Sequence, residues 1–335
     1  MKRTAITLGQ IADNQNLARA AQLAARGKRT RPDVRHFFHR FEYHLNRVAV
    51  AIYDGQLPTG RCRQFAIRDP KLRLIHAACF EDRVFHHAVM AHAGPVLDRA
   101  LVPSSYACRE GLGHHVAVQA VQRQLRCFPW FVKIDIQHYF DAIEHDRLLA
   151  LLARRFKGQA FLALLQRVVA VYHTTPGRGL PIGSLTSKHF ANYYLNGLDR
   201  YLLETLGVKA HVRYMDDILW WCPTQAQARE SLAQAIAYAR EQRGLTVKPT
   251  TQINRSACGV SFCGYRVKRG AILLSRRRRR RYQQLRRGWE QAYLAGEIDE
   301  RGLQRAYAAV HAITLPADAR GWRRENLRRF PALEV

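Results

Sequence analysis

Acidic residues are scarce in this chain, which has 26 Asp and Glu against 54 Lys and Arg, a formal net charge of +28. A surface this positive repels itself unless it meets a polyanion, so nucleic acid or an anionic membrane is the expected partner. The chain also lacks any run of about 18 apolar residues, the length that a membrane-spanning helix needs. Met1, Lys2 and Arg3 are not followed by the apolar core of a signal peptide. We therefore expect a nucleic-acid partner and no membrane.

Paired cysteines are absent as well. The seven cysteines are scattered, with no Cys-x-x-Cys pair, which predicts reduced thiols and a cytoplasmic protein rather than a disulfide scaffold. The histidine pairs at 86–87 and 114–115 have no partners at zinc spacing, so we interpret them as structural. With 335 residues, 47% hydrophobic, the chain can bury a core and form two or three subdomains. A basic nucleic-acid-binding protein without chemistry remains an alternative on composition alone.

Hydrophobic periodicity divides the chain into helices and short strands. Helices are predicted over most of 1–58 and over 81–92, 115–125, 146–172, 184–204, 231–243 and the region from 275 onward. Strands are predicted at 64–67, 72–75, 131–136, 210–221 (strand, turn, strand), 245–248 and 260–274 (a hairpin). Residues 275–330 contain 15 Arg and no Lys against 6 acidic residues, a net charge of +9. The pattern favours a mixed sheet flanked by helices, with a separate basic helical tail.

Three carboxylates stand out against this basic background. Asp216 and Asp217 form the only Asp-Asp pair and lie between two apolar strands, while Asp135 ends the apolar run 131–136. Adjacent carboxylates raise each other's pKa and resist burial unless a cation neutralises them. A polar hairpin turn is the ordinary alternative for an isolated Asp-Asp pair, since Asp favours turns. If the two strands are neighbours, however, Asp135 and Asp216 face each other and can bridge divalent ions.

The motifs around these aspartates resemble those of reverse transcriptases, in order and at family spacing over about residues 60–270. YMDD at 214–217 resembles the family's Tyr-x-Asp-Asp motif, and FVKIDIQHYF at 131–140 resembles its first catalytic motif. The other matching blocks are KLRLI at 71–75, YACREG at 106–111, GLPIGSLTS at 179–187, LTVK at 245–248 and FCGY at 262–265. The resemblance implies an RNA-directed DNA polymerase, a nucleotidyltransferase that binds a template RNA, the cDNA, the RNA–DNA duplex and deoxynucleotide triphosphates.

The resemblance also implies roles for individual residues. The implied metal site holds two Mg²⁺ ions, with Mn²⁺ as a substitute, on Asp135, Ile136, Asp216 and Asp217, and the three aspartates are the catalytic residues. Such ions, about 4 Å apart, activate a primer 3′-hydroxyl and stabilise the leaving pyrophosphate. The implied nucleotide-binding residues are Lys71, Arg73, Phe140, Ile182, Gly183 and Lys248. Lys71 and Arg73, two apart on a strand, would share a face toward the triphosphate, and Phe140 would exclude a 2′-hydroxyl. A solvated strand and an ordinary core aromatic are the alternatives.

The expected fold class is α+β, a right-hand polymerase with an antiparallel palm sheet and a helical, basic thumb. We expect a helical N-terminal extension at 1–58, fingers with the start of the palm at 59–130, a palm at 131–270 that includes the loop and helix 174–204, and a thumb at 271–335. Nucleic acid would contact Tyr214, Met215, Arg276, Arg277, Arg278, Arg280 and Arg281. Six consecutive arginines cover every face of a helix, so binding should weaken steeply with salt. A disordered basic tail is the alternative.

The loop at 179–188 suggests a subtype. Ile182 before the glycine, with LTS at 185–187, resembles the diversity-generating retroelement branch of the group II intron-like bacterial and phage lineage. Members of that branch miscopy template adenines in mutagenic retrohoming and work with a small basic accessory protein that forms a ring. Lys188 departs from the branch, which usually has Gln there. An antiviral-defence enzyme or another group II-like reverse transcriptase is the alternative, as is a catalytically inactive RNA-binding scaffold.

Overall fold

The protein is described by a computed structural model that covers residues 2–68 and 72–333. Its N-terminal part is helical, as predicted: after a short strand β1 (Thr4–Ala5) come α1 (Leu8–Ala12), α2 (Asn14–Ala25), α3 (Pro32–His39) and α4 (Phe41–Tyr53). Thr7 and Gln10 begin α1 with reciprocal side-chain to backbone hydrogen bonds of 3.2 and 2.9 Å. The alanine-rich face of α2 is buried, so this unit belongs to the main core.

An exposed two-stranded hairpin follows. It consists of β2 (Cys62–Arg68) and β3 (Leu72–Ala78), antiparallel with Phe65 opposite Ile75, and both strands are longer than the predicted 64–67 and 72–75. Two helices come next, α5 (Phe80–Ala100) and α6 (His114–Cys127). The helix predicted at 81–92 continues through Pro95, because burial of its apolar residues among several helices outweighs the loss of one hydrogen bond.

The centre of the molecule is a four-stranded antiparallel sheet in the order β6-β7-β4-β8. Its strands are β4 (Trp130–Asp135), β6 (Ala210–Tyr214), β7 (Asp217–Cys222) and β8 (Gln252–Arg255). Alternate residues face opposite sides, so Val132 and Trp220 join the larger core while Phe131 and Trp221 join a second, smaller one. The predicted strand-turn-strand at 210–221 is confirmed, as is the antiparallel character of the sheet.

One predicted strand is wrong. Residues 245–248 form a single bridge, Val247 to Ile136, and the fourth strand of the sheet is instead β8, a polar segment with little apolar alternation. Leu245–Lys248 matched the strand pattern because Leu245 is buried, but the Leu245 amide donates to the Ala239 carbonyl in α12 (Gln225–Arg243). The Thr246 carbonyl accepts from the Gln137 amide and the Lys248 amide donates to the Asp135 carbonyl, which makes a bridge rather than a ladder. Periodicity reports burial, and a buried residue in a connecting segment gives the same signal as a short strand.

The remaining helices between β4 and β6 contribute buried side chains to the larger core. They are α7 (Tyr139–Ala142), α8 (His145–Ala153), α9 (Gln159–Ala170), α10 (Leu185–Tyr194) and α11 (Asn196–Arg200), followed by a π-helical turn at Tyr201–Thr205. Between α8 and α9, β5 (Phe156–Lys157) pairs in parallel with β1. The single helix predicted over 184–204 is therefore three consecutive pieces. None of the helices in the described residues has both the length and the apolar content that a membrane crossing requires.

The C-terminal part combines a small sheet with three helices. Strands β9 (Val260–Phe262), β10 (Tyr265–Val267) and β11 (Ile272–Leu274) form an antiparallel sheet, and α13 (Arg276–Leu294), α14 (Glu300–Ala312) and α15 (Arg320–Arg329) follow. Ser275 begins α13 by accepting from the Arg278 amide at 3.3 Å. Tyr282 and Arg286 are the buried residues of α13, whereas Trp289 is 40% exposed.

Candidate active site

The three aspartates meet at one edge of the central sheet. Asp135 is the last residue of β4 and lies opposite Asp217, the first residue of β7, in the strand register. Asp216 lies in the turn between β6 and β7, close enough to Asp135 for the charge of Asp135 to raise the pKa of Asp216. We call residues 214–217 the Asp-Asp turn. The predicted neighbourhood of Asp135 and Asp216 is therefore present in the fold.

Burial makes Asp216 and Asp217 costly to ionise. Desolvation raises the pKa of Asp216, and the neighbouring Asp135 raises it further. Desolvation also raises the pKa of Asp217, to about 6, although Lys133 acts in the opposite direction. Asp217 Oδ1 is buried and makes no hydrogen bond with the described residues, so its charge is poorly solvated. A bound cation would stabilise the ionised form of these carboxylates, so the site suits a cation.

Two lysines lie against the aspartates. Lys248 Nζ donates to Asp135 Oδ1 at 2.6 Å, and the Lys248 amide donates to the Asp135 carbonyl at 2.8 Å. Lys133 Nζ lies 3.1 Å from Asp217 Oδ1, a charge contact without hydrogen-bond geometry, and donates to the Ser261 carbonyl at 2.7 Å. Lys133 is not among the site residues predicted from the sequence. The usable signal was its period-two spacing from Asp135, which places both on one face of β4.

The donor set fits a hard divalent cation, because carboxylate oxygens are the ligands that Mg²⁺ prefers and one of them is buried without a hydrogen bond. Within the part of the chain that is described, no three acidic, histidine or cysteine side chains are already grouped as metal ligands. Asp217 and Asp135 are each paired with a lysine instead, Lys133 and Lys248 respectively. Ile136 is fully buried and bridged to Val247, next to Asp135.

The residues predicted to bind nucleotide lie partly together. The loop before α10 packs on β3: the His76 amide donates to the Ile182 carbonyl at 2.9 Å. A Cβ added to Gly183, at φ +119°, would lie 3.1 Å from Ile75 Cγ2 and 3.2 Å from the His76 carbonyl oxygen. The Leu180 amide donates to the Phe140 carbonyl at 2.8 Å, which fixes the loop to α7.

The other predicted nucleotide contacts are dispersed. Arg73 is exposed on β3 toward the tip of the hairpin, and Phe140 is half-buried. Lys248 is paired with Asp135 rather than free. Lys71 lies outside the described residues.

The arginine run at the start of α13 divides into two groups. Arg278 stacks 4.0 Å from the centre of the Tyr265 ring and donates to the Cys263 carbonyl at 3.0 Å, and Arg279 lies over Trp322. The exposed members line a cleft of about 700 Å³ together with Arg68 at the end of β2; they are Arg276, Arg277, Arg280 and Arg281. Tyr214 and Met215, also predicted to contact nucleic acid, are half-buried in the Asp-Asp turn.

Comparison with known proteins gives consistent matches. The family described as "Reverse transcriptase (RNA-dependent DNA polymerase)" matches residues 67–267. Protein YkfC of Escherichia coli is 26% identical over 193 residues, 51% of this chain and 49% of that protein. The group II intron-encoded protein LtrA of Lactococcus lactis is 25% identical over 173 residues, 49% of this chain and 29% of LtrA. The match thus spans half or less of each relative's length.

Two further similarities are more limited. An uncharacterized 91 kDa protein in the cob intron of Schizosaccharomyces pombe is 32% identical over 105 residues, 30% of this chain and 13% of that protein. Among solved structures, apo telomerase of Candida tropicalis, truncated from its C-terminal domain, aligns with a TM-score of 0.45 and 12% identity. That alignment covers 64% of this chain and 55% of the telomerase chain.

Proposed function

This chain belongs to the reverse transcriptase family, and from that premise we propose that it is an RNA-directed DNA polymerase that copies a template RNA into cDNA. The observation that carries the proposal is the meeting of Asp135, Asp216 and Asp217 at one sheet edge, with raised pKa values for Asp216 and Asp217. Buried carboxylates are unfavourable for folding alone, so their grouping favours a catalytic use.

Asp135, Asp216, Asp217 and the backbone at Ile136 would hold divalent ions; we propose Mg²⁺, with Mn²⁺ as a substitute. When bound, such ions supply the Lewis acidity that lowers the pKa of a primer 3′-hydroxyl and offsets the charge of the leaving pyrophosphate. Lys133 and Lys248 neutralise the carboxylates before ions arrive. Lys248, one of the predicted nucleotide-binding residues, would then be free to turn toward the leaving pyrophosphate and neutralise its charge.

The other assignments follow the same plan. Arg73 would contact the triphosphate, Phe140 would lie under the sugar and discriminate against a 2′-hydroxyl, and Gly183 would let the backbone approach the nucleotide. The hairpin and helices of 59–130 would be the fingers, 131–270 the palm and 271–335 the thumb, with 1–58 as an extension. The cleft between Arg68 and the start of α13 supports this plan, because it joins fingers and thumb across a positive surface.

Primer extension on an RNA template tests the activity. We expect incorporation by the wild-type protein and none by the Asp216→Ala, Asp217→Ala double variant. Asp146→Ala, in the first turn of α8, is the matched control for loss of an aspartate and should keep wild-type incorporation. Equal incorporation by the wild type and the double variant would leave the inactive RNA-binding scaffold as the better description.

Within the family, we assign the chain to the error-prone retroelement branch, with a ring-forming basic accessory protein as partner. The support is Ile182, whose alkyl side chain offers no hydrogen bond to a nucleotide, so discrimination between bases is weakened. The group II intron-encoded relative favours the competing description, another group II-like bacterial reverse transcriptase.

Sequencing of the cDNA separates the two descriptions. We expect an excess of substitutions opposite template adenines, reduced in the Ile182→Gln variant. An error rate that is uniform over the four template bases would contradict the retroelement assignment and leave the polymerase activity standing.

A further inference from the structure

A fully buried arginine precedes the Asp-Asp turn. Arg213, in β6, is 0% exposed, and its guanidinium donates every N–H that it has. Nε donates to both carboxylate oxygens of Asp199 at 2.8 and 2.9 Å, and Nη2 donates to Asp199 Oδ2 at 2.6 Å and to the Asn192 carbonyl at 3.0 Å. Nη1 donates to Asn192 Oδ1 at 2.6 Å and to the Met215 carbonyl at 3.1 Å. A lysine, with three N–H bonds on one atom, cannot reproduce this set.

The charge of Arg213 is cancelled inside the network. Burial alone would raise the pKa of Asp199, but the Arg213 guanidinium and the His211 ring outweigh burial and hold the pKa of Asp199 below its usual range. His211 Nε2 lies 3.2 Å from Asp199 Oδ1, and its Nδ1 shares a 2.8 Å hydrogen bond with Ser104 Oγ. Asp199 and Arg213 thus form a buried ion pair. Arg213 therefore adds no net positive charge beside carboxylates that must attract cations.

The contact to the Met215 carbonyl falls at a strained point. Tyr214 pairs with Asp217, so Met215 and Asp216 form a two-residue hairpin turn, and Met215 has φ +56°. Glycine is preferred where such a turn needs positive φ at its first position. A methionine keeps this conformation only where the surroundings hold it. Arg213 is itself anchored, because its amide donates to the Ser104 carbonyl and its carbonyl accepts from the Tyr106 amide, both at 2.9 Å.

We infer that Arg213 is a positioning residue, which holds the Asp-Asp turn so that Asp216 faces Asp135 while Asp199 cancels the arginine's charge. The inference rests on the proposed polymerase function and adds a residue that acts on the metal site without touching substrate. On this inference, the Arg213–Asp199 pair supports cation binding at the Asp-Asp turn in addition to stabilising the fold.

The primary experiment compares wild type with Arg213→Lys in two assays. Mn²⁺ binding to the protein without nucleic acid is followed by electron paramagnetic resonance, and nucleotide incorporation is followed as a function of Mg²⁺ and deoxynucleotide concentration. We expect Mn²⁺ affinity and kcat to fall about 10-fold to 100-fold, the range seen when a group that orients a metal ligand is removed. KM for the deoxynucleotide should change little, because the triphosphate contacts are intact. Unchanged Mn²⁺ affinity in a folded variant would overturn the inference.

Arg286→Lys is the matched control for loss of a buried arginine. Arg286 is also buried, with Nε 3.2 Å from Glu290 Oε1 and Nη2 donating to the Phe330 carbonyl at 2.7 Å, but it lies in the C-terminal helices. We expect a lower melting temperature and wild-type Mn²⁺ affinity. An equal loss of Mn²⁺ affinity in Arg286→Lys would mean general loosening and would also overturn the inference. If Arg213→Lys does not fold, Asp199→Asn, which keeps the size of the side chain, replaces it with the same expectation.

A second measurement addresses the turn itself. Glycine adopts positive φ without a Cβ clash, so the turn in a Met215→Gly background depends less on its restraint. Arg213→Lys should therefore reduce Mn²⁺ affinity less in that background than in the wild type; an equal reduction in both would show that Arg213 does not act through the turn. A wild-type protein that binds Mn²⁺ but incorporates no nucleotide would defeat the proposed function alone, and the Mn²⁺ comparison would still decide the inference.

Discussion

At the scale of single residues, Asp217 is the clearest example of a carboxyl group that is costly to ionise in the folded protein. Its pKa is raised by desolvation to about 6, although Lys133 favours the ionised form. The folded state therefore binds the proton more tightly than the unfolded chain does. The contribution of Asp217 to stability should therefore be greatest where its carboxyl group is neutral, and it should be lost as pH rises from about 3.8, the ordinary aspartate value, to about 6. On the proposed function, a bound divalent ion would offset this cost.

The first prediction follows from that cost. In the absence of divalent ions at pH 7.5, Asp217→Asn should increase the free energy of unfolding by about 1–3 kcal/mol. The substitution removes a carboxyl group whose pKa the fold raises to about 6 and which is therefore unfavourable when ionised. Chemical denaturation with a chelator present measures the effect. Below about pH 3 the carboxyl group is neutral in both the folded and the unfolded wild type, so the difference should vanish. A variant less stable than wild type at pH 7.5 would contradict this account of the site.

The second residue-scale prediction concerns His86, which is buried in α5 and bonded to Thr186 Oγ1 at 3.2 Å. Desolvation, followed by the charge of His87, lowers the pKa of His86 to about 4. The folded state thus favours the neutral ring, and stability should fall as pH drops from about 6.5, the unfolded value, to about 4. The total loss would be up to about 3 kcal/mol.

Thermal melting between pH 7 and pH 4 tests this. His86→Gln should show a shallower pH dependence than wild type, because the group that must stay neutral is gone. His39→Gln, at an exposed position of α3, should keep the wild-type slope. Identical slopes in all three proteins would rule out His86 as the source.

At the scale of elements, the loop before α10 and the hairpin strand β3 form one structural unit. The loop is tied to β3 through the Ile182 carbonyl and to α7 through the Leu180 amide, while Gly183 lies against Ile75 and His76. A motif that looks local in the sequence is therefore shaped by two distant segments. Its geometry depends on close approach of two backbones, which a side chain at residue 183 would prevent.

The element-scale prediction uses two glycines of the same loop region. Gly183→Ala should raise KM for the deoxynucleotide and destabilise the protein by about 1–3 kcal/mol, since it combines positive φ with crowding against β3. Gly177→Ala also has positive φ, at +75°, but a Cβ there meets nothing within 4 Å. Gly177→Ala should therefore cost only the backbone strain of an alanine at positive φ, and it should leave KM for the deoxynucleotide unchanged. Equal effects of the two substitutions on KM would show that contact with β3 is unimportant.

At the scale of the whole molecule, the excess of positive charge is distributed unevenly. The net charge of +28 is spread over the chain, yet Arg68 and the exposed arginines of α13, which are far apart in the sequence, line the same cleft. Arg278 and Arg279 are turned toward aromatic rings and so connect α13 to the protein. Where the charge lies should matter more for binding than how much there is, because each phosphate contact releases a counterion.

The whole-molecule prediction separates location from amount of charge. The Arg276→Gln, Arg280→Gln double variant should lower the slope of log affinity for a primer–template duplex against log salt by about 1 per arginine. The Arg328→Gln, Arg329→Gln variant loses the same charge on α15, where both arginines pair with Glu325. Its slope should stay close to that of wild type. Equal reductions would mean that duplex binding responds to net charge alone.

Much of this arrangement was predictable, and the failures have physical causes. The hairpin at 62–78, the strand-turn-strand at 210–222 and the helical basic tail were recognisable because periodicity and turn chemistry are local. β8 was missed because its polar residues carry no burial pattern, and Lys133 was overlooked because its partner is 84 positions away in the sequence (217 − 133). The tasks of the individual site residues stay predictions.

The amino-acid sequence by itself determined the family motifs, the antiparallel strands around the aspartates and the strongly basic character, because these depend on residue type and short-range spacing. Only the tertiary structure decided that Lys248 pairs with Asp135 and that Arg213 and Asp199 form a buried ion pair behind the Asp-Asp turn. It also decided which arginines of α13 face the cleft. Such pairings depend on strand register and on burial. Both arise when segments far apart in the chain pack together, so no local pattern of residues records them.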